Sequence, residues 1–430
     1  YGTVTGVQTC ALPICMLTFY DKFAEKNVGS PGLREQTARA YRRVGGIQAR
    51  LSKLDAAAAA YETSLQLYRD VHERDVTLDI AAVQQELGQV ARRSGNPAAA
   101  RKWFQDALRE LENDVSGGSS HSARLLKARG NYLFATSMDQ RGGGPFGRRG
   151  QGPGDAAPLG NGPGGNPPPN PQGGAPRRPG RDGMREAREQ LRVARDLLTG
   201  LLQESPEDPE VLLLQARVLI AEQRLPGSRD SAPEAGTSAK AVEILEKLVQ
   251  RQPDNDLFRY ELADALLPPP GRNAETAVVR TVLEHAKKLV EQQPAHVEYQ
   301  ALLGRAHSML GRQLRRTDPE EAEKQLRAAV VVEEPLTKKQ EGANMRFQEQ
   351  FVMTRVELAR LLSERGKQDE ARTLLTQVVS QLQGVLEKPT GMFRMLGDPE
   401  RVRDLADQLE RVGLGARAQQ LRAAVERRGR

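Results

Sequence analysis

The feature that most constrains this 430-residue chain is a stripe that recurs. Ala194, Leu198, Leu201 and Pro206 stand at relative positions 0, 4, 7 and 12, and Ala241, Leu245, Leu248 and Pro253 repeat the spacing, as do Val282, Ala286, Leu289 and Pro294. Phe19, Phe23, Lys26 and Pro31 form a degraded copy. On an α-helix, positions 0, 4 and 7 fall on one face, and a proline a few residues later stops the helix before the next begins. A unit of this kind has one apolar stripe and cannot bury it alone, so repeated units must stack.

Composition agrees with stacked helices. Only 4% of residues are aromatic, which argues against a large β-sandwich or barrel. Two cysteines exclude a disulfide-stapled scaffold, and no apolar run approaches the ~20 residues of a membrane-spanning helix. The formal charge of +7 suggests nucleic acid until its location is considered. Arg141 to Gly183 is a tract of 43 residues with 15 Gly and 10 Pro, and its six arginines face only two aspartates. Four of the seven net charges therefore sit in a segment expected to be disordered, because it cannot bury enough apolar surface to offset ordering. The remainder is close to neutral.

A second signature lies in the partner helices. Gly45 is followed by Ala57, Tyr61 and Ser64-Leu65, and Gly88 by Ala100, Phe104 and Ala107-Leu108, at matching offsets of 12, 16, 19 and 20. Small residues at these points let two helices approach closely. With Tyr41-Val44-Gly45, Leu87-Gly88-Gly95, Leu303-Gly304 before Ala322-Leu326-Ala329, and Gly366 before Ala371-Leu375, the chain resembles the tetratricopeptide repeat family. The resemblance covers most of residues 16 to 388. The 43-residue step from Gly45 to Gly88 is longer than that family's usual period and looks more like the extended repeats of kinesin light chains. It implies an all-α superhelical solenoid of antiparallel helix pairs. Pairs are expected near 33–73, 76–113, 121–204, 208–252, 255–293, 295–333, 344–387 and 398–428, after a lone helix at 16–28.

Four segments are expected along the chain. Residues 1–15 are set aside, because Val4 to Ile14 (VTGVQTCALPI) resembles the conceptual translation of a sequencing adapter, which would place the true N-terminus upstream. N-terminal repeats occupy 16–140, the Gly/Pro/Arg-rich insertion 141–183, and C-terminal repeats 184–430. The insertion falls inside the third helix pair, in a turn where added length costs little, with an interdomain linker as the alternative. FYDKFAEKN followed by LREQTARAYRRVGGIQARLSKLDAAAAAYETSLQLY, about residues 16 to 70, looks like the repeat region of large planctomycete-type serine/threonine protein kinases. The kinase elements themselves, an HRD loop, a DFG and a strand lysine, are missing from this chain.

Chemistry is poorly supported. His296 and His307 are eleven residues apart, too far to share an ion, and no HExxH is present. Ser119 to Ser122 around His121 reads as a loop ending in a helix N-cap. Gly142, Gly144 and Gly147 match GxGxxG without the flanking strand and helix that would give the match meaning. The doublets Glu320-Glu321 and Glu333-Glu334 read as solvated helix ends. No cofactor, metal or catalytic residue is expected, and the fragment is read as a non-enzymatic scaffold. Binding is better supported. The first helix of each pair should line the concave face. In the first two units its polar positions carry Arg39, Arg42, Arg43, Arg50, Gln85, Gln89, Arg92 and Arg93, which could accept an acidic or C-terminal peptide through charge-assisted hydrogen bonds. A solvated helix face is the plainer alternative. The tetratricopeptide family's carboxylate clamp is not carried over, since Arg42 is followed four residues later by Gly46 rather than Asn. RNA or single-stranded DNA binding through Arg141, Phe146, Arg148 and Arg149 is the competing function, and a cytoplasmic location is the expectation.

Overall fold

In a computed structural model the chain is described over residues 33–72, 75–112, 120–138, 181–225, 237–268, 274–338, 345–386 and 399–429, with Lys22, Lys26 and Asn27. The adapter-like residues, the lone helix at 16–28 apart from those three positions, and the Gly/Pro-rich tract up to residue 180 lie outside the described residues.

Sixteen α-helices occur among the described residues, and they pack two by two. Helix α1 (Arg34–Arg50) pairs with α2 (Leu54–Arg69), α3 (Thr77–Arg93) with α4 (Pro97–Glu112), and α5 (His121–Met138) with α6 (Arg181–Glu204). Next come α7 (Pro209–Arg224) with α8 (Thr237–Arg251), α9 (Asp256–Leu266) with α10 (Thr276–Gln292), and α11 (Val297–Leu314) with α12 (Pro319–Lys338). The last pairs are α13 (Met345–Glu364) with α14 (Gln368–Leu386) and α15 (Pro399–Arg411) with α16 (Gly415–Gly429). Each pair also packs on the next, giving an all-α solenoid of antiparallel pairs.

The stripes read from sequence are the core. Ala194, Leu201, Ala241, Leu245, Val282, Ala286 and Leu289 are fully buried, and Leu198 and Leu248 are 1% exposed. The prolines lie two residues beyond the ends of α6, α8 and α10. A short turn then leads to a cap. Asp208 accepts from the Glu210 and Val211 amides at 2.9 and 3.3 Å, with Pro209 at the first helical position, and Asn255 accepts from the Leu257 and Phe258 amides at 3.1 and 3.3 Å. Each satisfies amides that a helix start otherwise leaves without partners. Ser120, just before α5, does the same: its Oγ accepts from the Ala123 amide at 3.2 Å.

Helices α5 and α6 bury Ala128, Ala135, Ala187, Leu191, Ala194 and Leu198 in one cluster, so residues on either side of the undescribed tract form a single pair. Helix α6 opens at Arg181, slightly before the expected end of that tract at residue 183. At the other end, α12 does not stop at residue 333 but continues through Pro335 to Lys338. The proline takes one donor from the ladder, and the carbonyl it leaves belongs to Val331, whose side chain is 70% exposed, so water can serve it. This extension corrects the reading of Glu333 as a solvated helix end. Glu333 is 2% exposed and packs across Gly304 of α11, where an added Cβ would fall 2.6 Å from its Cγ.

Candidate functional site

Helices α1 and α3 are the first helices of adjacent pairs, and an open cleft of about 530 Å³ lies between them. Its walls are Arg39, Arg42, Arg43 and Gly46 from α1 and Asp79 and Glu86 from α3, and Tyr61 and Tyr68 of α2 form the floor. The tyrosines reach it because their rings are clamped between helices: Tyr61 is 3% and Tyr68 0% exposed. Tyr68 donates to Asp79 Oδ1 at 3.5 Å, and Arg42 approaches the same carboxylate at 3.9 Å. Arg39 is held by Glu35 at 2.7 Å, one turn back on its own helix. Glu86 is engaged by Arg129 of α5 at 2.8 Å and accepts from Gln89 Nε2 at 3.2 Å.

Burial, with Asp79 adding to it, pushes the Tyr68 phenol up to about 12. Burial likewise raises the Tyr61 phenol, followed by Glu86, while Arg42, Arg129 and Arg50 oppose the shift. Both hydroxyls therefore keep their protons at neutral pH and act as donors.

Of the eight residues singled out in the sequence, the cleft gathers Arg39, Arg42 and Arg43. Gln89 stands beside it, on Glu86. Arg50 is exposed at the end of α1, and its charge is felt by Tyr61 and also by His296 and Tyr299. Arg92 is half-buried and acts on Tyr132 of α5. Arg93 donates to the Ala49 carbonyl at 2.8 Å and to Ser52 Oγ at 3.4 Å, which ties α3 to the end of α1. Gln85 corrects the expectation of a solvent-facing position: it is 0% exposed and donates to the Leu126 carbonyl of α5 at 2.9 Å. Small and polar residues on α3 are consumed by the neighbouring first helix, which the pattern of one unit does not reveal. The sequence reading missed Tyr61, Tyr68, Asp79 and Glu86 as cleft residues, and Arg129 as the partner of Glu86. The usable signal was the alignment of the two units, in which Tyr61 replaces Phe104 and Gly46 replaces Gln89.

Three of the histidines make local contacts with neighbouring side chains. His296 stacks on Tyr299 with ring centroids 3.8 Å apart, His307 Nδ1 lies 2.6 Å from Gln325 Oε1, and His121 Nε2 lies 3.1 Å from Asp208. Among the described residues no group of three or more His, Cys, Asp or Glu could hold a metal ion, and no helix is long and apolar enough to cross a membrane. Arg141, Phe146, Arg148 and Arg149, on which the nucleic-acid alternative rested, lie outside the described residues.

Residues 36–113, which contain the cleft's α1, α2 and α3 walls, match the family model described as tetratricopeptide repeat. No curated protein matches the chain. Among solved structures, it is similar to a thermophilic tetratricopeptide-repeat protein of Thermus thermophilus, at 20% identity over 52% of this chain and 93% of that one, with a TM-score of 0.27. It is also similar to a Rap protein solved with Competence and Sporulation Factor, at 15% identity over 92% of both chains, with a TM-score of 0.41. The tetratricopeptide repeat is thus matched over residues 36–113, and the described residues as a whole form an all-α solenoid of antiparallel helix pairs.

Proposed function

We propose that this protein is an interaction scaffold whose first two helix pairs hold an acidic peptide segment or a C-terminal carboxylate in the cleft between α1 and α3. The observation that carries the reading is the cleft itself, which gathers three arginines against two carboxylates and offers protonated tyrosines at its floor. Guanidinium groups pair with carboxylates through two parallel hydrogen bonds, a geometry that gives orientation as well as affinity. The resemblance of residues 16 to 70 to kinase-linked repeats supports placing the scaffold in a larger signalling polypeptide. Sequencing the intact gene upstream tests that extension, and an upstream reading frame without a kinase domain would refute it.

A peptide array tests the cleft. Wild-type protein should retain acidic peptides over neutral and basic ones, and Arg42→Glu with Arg43→Glu should lower that retention about tenfold or more. Equal retention by wild type and the double charge reversal would refute the reading.

A further inference from the structure

The first two helix pairs follow one plan, offset by 43 residues from Gly45 to Gly88. In both, the glycine lets an aromatic ring of the second helix press against the first. A Cβ at Gly45 would lie 2.8 Å from Tyr61 Cδ1, and one at Gly88 would lie 2.3 Å from Phe104 Cε1. Phe104 is 0% exposed and fills its niche with a bare ring. Packing therefore does not require the hydroxyl that Tyr61 carries in the equivalent niche.

Two further facts concern that hydroxyl. Above it the first pair has Gly46 where the second has Gln89, and a Cβ at Gly46 would meet only the Tyr61 Oη, at 3.5 Å. The small residue opens the cleft directly over the hydroxyl. The Tyr61 ring is buried, at 3% exposure for the residue, while its Oη is not among the buried polar atoms that lack a partner, so the hydroxyl faces the open cleft and can donate into it. The charges that act on it are one carboxylate, Glu86, which is the strongest, and three guanidinium groups, Arg42, Arg129 and Arg50, which oppose it.

We propose that the Tyr61 hydroxyl is the specificity-determining donor of the cleft, hydrogen-bonding one carboxylate oxygen of the bound acidic segment while Arg42 pairs with the same group. This rests on the acidic-segment reading above and adds to it a defined point of contact. An acidic chain held only by rim arginines would be recognised through diffuse charge. One that reaches Tyr61 must place a carboxylate at the floor under Gly46.

The test is a fluorescence titration of the full chain with a fluorescein-labelled oligo-aspartate peptide bearing a free C-terminus. Tyr61→Phe should melt at the wild-type temperature, because Phe104 shows the ring suffices, and should bind roughly tenfold more weakly. Gly46→Gln, which gives the first pair the residue of the second, should weaken binding at least as much. If Tyr61→Phe binds as wild type while Arg42→Glu weakens binding, the role of Tyr61 is overturned and the acidic-segment reading stands. If wild type does not bind the peptide at all, both are overturned.

Discussion

Ser52 and Gly95 occupy equivalent turns, 43 residues apart, between the helices of the first and second pairs. Gly95 adopts φ 78°, which costs glycine little, and Ser52 is forced to φ 60°, where a Cβ clashes with the following carbonyl. Ser52→Gly should raise the stability of the first pair by about 1 kcal/mol, read as a higher urea midpoint; loss of the 3.4 Å contact from Arg93 subtracts little from this. Gly88 is the opposite case. Gly88→Ala drives a methyl into Phe104, and despite the better helix propensity of alanine it should destabilise by about 1–3 kcal/mol. Glu333 gives a pH dependence. Burial pushes its carboxyl up to about 7, against the hydrogen bonds from Gln350 and Thr354. The folded state thus keeps a proton that the unfolded chain releases at lower pH, so its contribution is complete in acid, falls as pH rises through the unfolded value toward 7, and levels off above. Glu333→Gln should flatten that slope and leave the protein more stable at pH 8 by up to about 3 kcal/mol. Equal pH profiles for the two proteins would contradict this account of the site.

At the scale of elements, ion pairs tie the first helix of one unit to the first helix of the next. Arg42 approaches Asp79 between α1 and α3, Arg129 meets Glu86 between α3 and α5, Arg217 meets Glu261 at 2.6 Å between α7 and α9, and Arg360 meets Asp404 between α13 and α15. Asp264 of α9 is the busiest member, bridged by Arg224 of α7 at 3.2 Å and by Arg305 of α11. Burial would raise its carboxyl, and the two arginines overcome that and hold it at about 2. Asp264→Asn removes the charge both guanidiniums share. With the group about a quarter exposed, the cost should be about 1–2 kcal/mol, seen as faster amide exchange in α9 and α11 before other helices. These links also explain what the sequence could and could not reveal. The stripe at Ala241, Leu245 and Leu248 is local, period-bound and legible. Gln85 is not, because its burial depends on the Leu126 carbonyl, which belongs to another unit. Glu333 is hidden for a similar reason: its pocket is made by Gly304, and the proline at 335 falsely suggests that the helix has already ended. The cleft was half legible, through its arginines, and its floor became visible only when Tyr61 and Phe104 were seen to fill the same niche.

Across the molecule, the core is shared by neighbours rather than gathered at a centre. One cluster runs through the first two pairs, others join α5 to α8, and a long cluster passes from Ala263 to Leu421. In such a stack each unit is stabilised by the units beside it, and local features such as the cleft depend on only two or three pairs. A ligand at the cleft should therefore protect the first pairs without tightening the rest. The most direct measurement is hydrogen exchange of the full chain with and without saturating oligo-aspartate peptide. Slowed exchange confined to residues 34–93, and absent in Arg42→Glu, is the expected result. Protection centred on α9 to α11, or none under conditions where the peptide binds, would contradict the placement of the site.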